Sequence, residues 1–436
     1  MKKTVSTLRV VGDDDAPVLP ALSAKLHVAF GDIATVAREG LLAMSVAVGL
    51  AVMNEMMEAE VTDRVGPKHA KLPDRNAVRH SAAPGSVVLG GRRVPVSRPR
   101  ARSTDGDEVQ LGTYATFASD DLLTEVVMER MLAGVATRRH CVVAEPVGES
   151  VAAAATATSR SAVSRRFKGA TTRALEELMA RDLGDLSVAA MMIDGVFFAE
   201  QCCVVALAIC ADGTKVPVGL WLGDTENKTV VTNLLADLSA RGLDAAGGIL
   251  FVIDGSKALA AGVRKVFGEL ALIQRCTLHK RRNVTDHLPR DQRTFIDRKL
   301  AGAFNNPDPV AGLRAAKELA RLLEDKHPDA AASLREGLDE MFTVRRLGLS
   351  DRLCRTLTNT NTIESMISVA KATTRNVKRW RDGKMIKRWV AAGMLNAERS
   401  FRRVKGAKDM PTLLAALARH VDQHTEEVHD NTALTA

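Results

Sequence analysis

Three carboxylates occupy places where a carboxylate is costly. Asp194 interrupts the apolar run MMIDGVFF at 191–198, and Asp254 follows five apolar residues in GILFVIDGSKAL at 248–259. Glu364 lies in TNTNTIESM at 358–366, where the sequence turns to helical spacing. Burying an unpaired carboxylate costs several kcal/mol, so such an acid sits at a strand end, is paired, or holds a cation. An Ile-Asp-Gly at a strand end is also a common turn signal, and a Glu in a first helical turn is favoured by the helix dipole, so no single acid decides the matter. Two carboxylates brought side by side repel unless a cation intervenes, and their hard oxygens suit Mg²⁺ or Mn²⁺. Two such ions per site would clamp the attacking and leaving oxygens of a phosphodiester in line and activate water or a sugar hydroxyl.

Whether the acids meet depends on the elements that carry them. Strand-period segments at 187–198, 201–211 and 216–222, the last two joined across ADGTK, read as a three-stranded antiparallel meander. A helix at 228–241 ends at Gly242 and leads to the apolar strand GILFVI; the helix KALAAGVRKVFG and the strand ALIQRC follow. The order βββαβαβ is that of an RNase H-like mixed sheet, an α/β fold in which the first and fourth strands lie side by side. Asp194 and Asp254 then become neighbours. Glu364 would be delivered by a helix capped by Asn361 or Thr362, with Ile363, Ile367, Ala370 and Val377 as its apolar stripe and Glu364, Ser368, Lys371 and Arg375 on another.

The chain divides into an N-terminal helical region (1–65), a basic Gly/Pro/Arg-rich arm or small β region (66–118), and a helix-turn-helix-type DNA-binding domain (119–185). The first part of the core (186–285), an all-helical insertion (286–354) and the second part of the core, with the Glu364 helix and a basic helix (355–408), precede a tail (409–436). Within the first region, 24–60 has helical spacing.

With 436 residues and 46% hydrophobic content the chain is long enough for several cores. Its longest apolar stretch, 41–53, is shorter than the roughly 20 residues that span a bilayer, and no signal-peptide pattern opens the sequence. A cytoplasmic protein with no membrane partner is expected, and its six scattered cysteines read as reduced thiols. The formal charge is +9, but 371–408 alone carries thirteen Lys or Arg against Asp382 and Glu398, a net +11. A cation-rich helix there, interleaved with Trp380 and Trp389, could hold more than one duplex. Lys371, Arg375, Lys378, Arg379 and Arg388 are its candidate DNA contacts. Arg98 and Arg100 stand in the arginine-rich stretch 90–102, and Lys280, Arg281 and Arg282 follow His279. An alanine-rich helix, a Thr/Ser turn and a helix capped by Ser159 or Ser161 would form a helix-turn-helix, with Ser161, Ser164, Arg165 and Arg166 near the start of the reading helix. Solvated faces explain any one cluster; several together point to DNA. Cys276 and His279 form half of a zinc set, but His287 and Cys354 are isolated and no second pair completes it.

The segments GLWLGDTENKTVVTNLLADLSARGL, FVIDGSKAL, QRCTLHKRRNV and NTNTIESM occur in the order found in the Mutator-type DDE transposases of bacterial insertion sequences, which the chain resembles from roughly 150 to 408. The resemblance implies that Asp194, Asp254 and Glu364 are the metal-binding catalytic triad, loaded with two Mg²⁺ or Mn²⁺ ions. It implies that Cys276 and His279 support the active site, with His279 within reach of a phosphate. It also implies a homodimer or higher oligomer bridging two element ends, binding to terminal inverted repeats and target DNA, cleavage and strand transfer, in relatives often through a copy-out, paste-in circular intermediate. A bacterial cytoplasmic protein, nucleoid-associated when bound to DNA, would result. The rival readings are a structure-selective nuclease on the same fold, which hydrolyses without joining, and a non-catalytic DNA-binding regulator. The helix-turn-helix and arginine arm argue against the first, the intact triad against the second.

Overall fold

The computed structural model describes residues 41–70, 76–140, 142–143, 147, 149–268 and 271–433. The first part of the helix expected over 24–60 lies outside the described residues, as does Cys141. The chain forms two compact units, one within Met1–Glu129 and Thr137–Arg166, the other Arg130–Ala136 and Phe167–Ala436.

In the first unit, α1 (Leu41–Val65) buries Val61 and Val65 with Ala77, Ala101 and Leu111. Strands β1 (Ala77–Leu89) and β2 (Arg92–Ser103) pair antiparallel across the two-residue loop Gly90-Gly91. Both glycines have positive φ, 55° and 74°, as the hairpin turn matching strand twist requires. Helices α2 (Gly112–Ala118), α3 (Asp120–Leu132) and α4 (Glu149–Ala154) follow, then α5 (Arg160–Ala180). Ser159 caps α5, its Oγ accepting from Ala162 N at 3.2 Å. The alanine-rich helix before it is only six residues long, and Thr156 pairs with Arg93 rather than extending it.

The second unit is built on a mixed five-stranded sheet of order β5-β4-β3-β6-β7. Its chain order is β3 (Val188–Phe198), β4 (Gln201–Cys210), β5 (Lys215–Gly223), α6 (Lys228–Ala240), β6 (Leu250–Ile253), α7 (Lys257–Phe267) and β7 (Leu272–Arg275). The antiparallel meander falls within a residue or two of the strands expected from alternation. Strands β3 and β6 run parallel, with Ile193 opposite Ile253. Asn227 caps α6 by accepting from Thr229 N and Val230 N, and Gly242, at φ 93°, turns the chain out of it.

Helix α8 (Thr277–Asp286) leads into α9 (Arg290–Phe304), α10 (Pro309–Glu324) and α11 (Pro328–Arg335), which bury Ile296, Leu300, Phe304, Ala316, Leu334 and Phe342 around a core of their own. Short helices α12 (Thr343–Arg346) and α13 (Asp351–Leu357) return to the sheet, followed by α14 (Asn361–Thr374), α15 (Gly383–Glu398) and α16 (Met410–Ala433). The pleat then sorts the sheet's faces. Met191, Ile193, Phe251 and Ile253 pack under α6 and α7, against Val231, Leu234, Leu259 and Val263. Ala190, Met192, Leu250 and Val252 pack under α14, α15 and α16, against Ile363, Met366, Val390, Met394 and Leu413.

Two expectations are corrected by this layer. The basic segment is not one helix: α14 ends at Thr374, and Asp382 starts α15 by accepting from Met385 N at 2.7 Å. Its tryptophans are not interleaved with cations on a surface, since Trp380 packs edge-on against Phe198 at 5.5 Å and Trp389 against Phe167 at 4.6 Å. Within the C-terminal stretch that begins at 409, Met410, Leu413 and Leu417 of α16 enter the core. The five described cysteines are free and buried. No helix among the described residues is long and apolar enough to cross a membrane.

Candidate active site

Asp194 and Asp254 are each one residue past the paired Ile193 and Ile253, at equal height on adjacent parallel strands. By the pleat both extend the set Ala190, Met192, Leu250 and Val252, so both point to the face covered by α14. That helix carries Glu364 in its first turn. It begins at Asn361 with Thr360 as N-cap, a residue earlier than expected, and no side chain caps it. Ile363, Ile367 and Ala370 are buried as the stripe required, while Val377 lies beyond the helix end.

Each acid has a distinct neighbour. Asp254 Oδ1 accepts from Ser256 N at 2.7 Å, so the turn role of an Ile-Asp-Gly is realised alongside its place in the site. Glu364 Oε1 accepts from the Thr360 hydroxyl at 2.6 Å and lies 3.8 Å from His279 Nε2. Burial pushes the Asp194 carboxyl up to about 7, with Asp254 and Glu364 adding and His279 opposing. The acids therefore sense one another's charge. Among the described residues no three His, Cys, Asp or Glu side chains close on a common ion-holding point. The donor set is nonetheless all carboxylate oxygen, the chemistry that suits Mg²⁺ or Mn²⁺.

Cys276 and His279 flank the same corner. Cys276 is buried as N-cap of α8. Its hydrogen bond lifts His279 to about 9 against the effect of burial, helped by the charges of Glu364 and Asp254. Burial pushes the Cys276 thiol up, but bonds with His279 and Thr360 outweigh it and bring the thiol below its ordinary value. His279 is thus cationic at neutral pH, facing Glu364.

Two residues of this corner were not among the candidates read from the sequence. Thr360 joins it together: its hydroxyl also lies 3.3 Å from His279 Nδ1 and 3.3 Å from Cys276 Sγ. Its place four residues before Glu364 was the one available hint. Glu226 stands at the other side, its Oε2 filling the space that a Cβ at Gly195 would need. Burial and the charge of Asp254 raise the Glu226 carboxyl, while the Ser256 hydroxyl pulls it down.

The structure separates the proposed DNA contacts. Ser161, Ser164 and Arg165 are exposed in the first turns of α5, but Arg166 bonds Thr124 Oγ1 at 3.2 Å and Asp120. Arg98 and Arg100 share Glu108, each at 2.8 Å. Lys280, expected on the DNA, is 1% exposed and donates to the Ser333 carbonyl at 2.6 Å; a buried ammonium must be satisfied inside. Arg281 pairs with Asp297 at 2.8 Å, whereas Arg282 is exposed. Arg388, also expected on the DNA, is buried against Thr171 Oγ1 at 3.2 Å. Lys371, Arg375, Lys378 and Arg379 remain exposed.

Comparison with known proteins adds to this geometry. A chain from Rhizobium meliloti (strain 1021), the transposase for insertion sequence element ISRM5, is 27% identical over 305 residues, covering 68% of this chain and 73% of that one. The transposase for insertion sequence element IST2 of Acidithiobacillus ferrooxidans is 27% identical over 236 residues, covering 51% and 78%. The transposase for insertion sequence element IS905 of Lactococcus lactis subsp. lactis (strain IL1403) is 23% identical over 333 residues, covering 74% and 81%. The profile of the family described as "Transposase, Mutator family" matches residues 28–404, and the chain belongs to that family.

Proposed function

We propose that the protein is a DNA transposase that binds the terminal inverted repeats of its insertion sequence, cleaves at the ends to free a 3′ hydroxyl, and joins that hydroxyl to a second phosphodiester. The observation that carries this reading is that Asp194 and Asp254 each directly follow Ile193 and Ile253, the last paired residues of two adjacent parallel strands, on the sheet face covered by the helix that bears Glu364. The strand and helix order supports reading the second unit as an RNase H-like core, and the exposed start of α5 suits the reading helix of a helix-turn-helix.

Asp194, Asp254 and Glu364 are the residues that would hold two Mg²⁺ or Mn²⁺ ions, which when bound lend Lewis acidity to the attacking and leaving oxygens. The Asp194 carboxyl, balanced near pH 7, gives up its proton as the site loads. Thr360 holds Oε1 of Glu364 and leaves Oε2 to act. His279 presents a positive charge to a phosphate oxygen beside Glu364. Two protomers on paired ends would share the work, with Lys371, Arg375, Lys378 and Arg379 on the DNA. The copy-out, paste-in route rests on family membership alone.

Labelled element ends incubated with the protein and Mg²⁺ or Mn²⁺ test the reading. Nicked ends followed by joined products are expected. Hydrolysis with no joined product would leave a nuclease, and end binding without cleavage a regulator.

A further inference from the structure

A groove of about 940 Å³ opens beside the start of α14, within the second unit. Lys215, Arg352, Arg355, Arg402, Arg403 and Lys405 line it, and none of its lining side chains is acidic. Several cations of the unit are held by partners, Arg181 by Glu398 at 2.8 Å, Arg281 by Asp297 and Lys280 by a carbonyl, while others such as Arg282 and Lys371 are exposed outside this groove. Here Arg352, Arg355, Arg402 and Lys405 are exposed and form no ion pair among the described residues. Only Arg403 reaches an acid, Asp212 at 3.1 Å. Like charges gathered without counter-charges raise a local potential that an anion relieves.

The rest of the lining says which anion. Asn359, Asn361, Thr362 and Ser365 supply amides and hydroxyls, which with Arg and Lys are the usual donors to phosphate oxygens. Phe401 is half-buried and covered by Lys215, whose Nζ lies 4.7 Å from the ring centroid, so no bare aromatic face offers a base a stacking platform. The groove also shares a turn of chain with the acids. Thr360, between Asn359 and Asn361, is the residue that bonds Glu364.

We propose that this groove seats one edge of a duplex DNA backbone without reading its sequence, and that this duplex is the DNA into which an element end is joined. The inference rests on the transposase reading above. A joining enzyme needs a sequence-specific hold on its own ends and a sequence-blind hold on the DNA that receives them, and these donors fit the second need.

The test uses the full chain with Arg352→Ala, Arg355→Ala and Arg402→Ala combined, and a second variant with all three as Lys. These side chains are exposed and form no ion pair among the described residues, so both variants should melt with the wild type. Binding to a random-sequence duplex is followed by fluorescence anisotropy across salt. Each lost phosphate contact lowers the slope of log K against log salt by about 0.9, so the Ala variant should lose about 2 to 3 and the Lys variant little. In joining assays with precleaved ends, the Ala variant should transfer at least ~10-fold less to target while wild-type ends are still cleaved within ~2-fold. An unchanged slope overturns the groove, as does an equal fall in cleavage and joining. If the wild type neither cleaves nor joins, the transposase reading fails by itself and with it the target role, while the salt slope still reports on the backbone seat.

Discussion

Asp194→Asn removes a charge that the fold penalises while keeping the side chain's shape. Burial first, then Asp254 and Glu364, push this carboxyl from 3.8 up to about 7. Because the folded value lies above the unfolded one, the group's contribution to the fold is fully present below 3.8 and is lost progressively as pH rises from there through about 7. At about 1.4 kcal/mol per pH unit the displacement corresponds to about 4 kcal/mol, and residual solvent access at Asp194 screens it to about 2 kcal/mol. Ionised wild type at pH ~8.5 bears that cost and the amide does not. With chelator present, Asp194→Asn should therefore melt about 4 to 8 °C higher than wild type at that pH, and within about 1 °C of it at pH ~3, below the unfolded value of 3.8. Added Mn²⁺ should raise the wild-type midpoint and leave the variant nearly unmoved. Thermal melts by circular dichroism at the two pH values, each with chelator and with Mn²⁺, give all four comparisons. A shift of the same size at both pH values, or a fall in the variant at pH ~8.5, would refute the assignment of a repelled, ion-holding carboxylate and make Asp194 structural.

Thr360→Val should leave end binding intact but lower cleavage by ~10-fold or more, since a lost buried hydrogen bond costs about 1 to 3 kcal/mol and Thr360 orients both Glu364 and His279; unchanged cleavage would remove its positioning role. Apparent Mn²⁺ affinity, measured by isothermal calorimetry, should drop by up to about tenfold per pH unit below about 7, because the Asp194 proton must be displaced. A pH-independent affinity would place the ion elsewhere. Lys280→Ala should destabilise the protein by a few kcal/mol in thermal melts, having emptied a buried, hydrogen-bonded place, whereas Arg282→Ala should leave the melt alone and reduce the salt slope of DNA binding by about 0.9. Arg165→Ala should cost about 1 to 3 kcal/mol of end binding and relax preference at one base if it reads a guanine edge; an equal loss on all sequences would make it a phosphate contact.

The parts of the fold that sequence exposed are those with a period. Alternation in 187–222, a capped helix and the apolar GILFVI predict five strands and their order, and the observed register places Asp194 beside Asp254 as that order requires. What stayed hidden depends on long-range contact. Nothing local marks Glu226 as the residue that needs Gly195 bare, or Thr360 as the bridge between α8 and α14. The cationic runs misled for the same reason: a run of Lys and Arg has the same composition whether its members face water or a buried carbonyl. Lys280 and Arg388 went inward because α8 and α15 each present a face to the core, while Arg352, Arg355 and Arg402, scattered in sequence, are gathered by the fold into one groove.

The corner around Glu364 also explains why three acids can stand close without destroying the fold. Each has its own source of relief within the chain. Asp254 takes a backbone N–H from Ser256, Glu364 takes the Thr360 hydroxyl and the charge of His279, and Asp194, raised chiefly by burial, keeps a proton near neutrality. These devices differ in how readily they yield to a divalent cation. A proton is displaced by mass action as pH rises, and a hydroxyl can accept as well as donate, so Asp194 and Glu364 can be recruited without breaking the fold. Asp254 can keep its turn bond on Oδ1 and offer Oδ2. On the proposed reading, metal loading would be coupled to a proton on Asp194 and to the orientation of Glu364, so the pH and Mn²⁺ comparisons at Asp194 and the Thr360→Val variant probe one physical arrangement from its two ends.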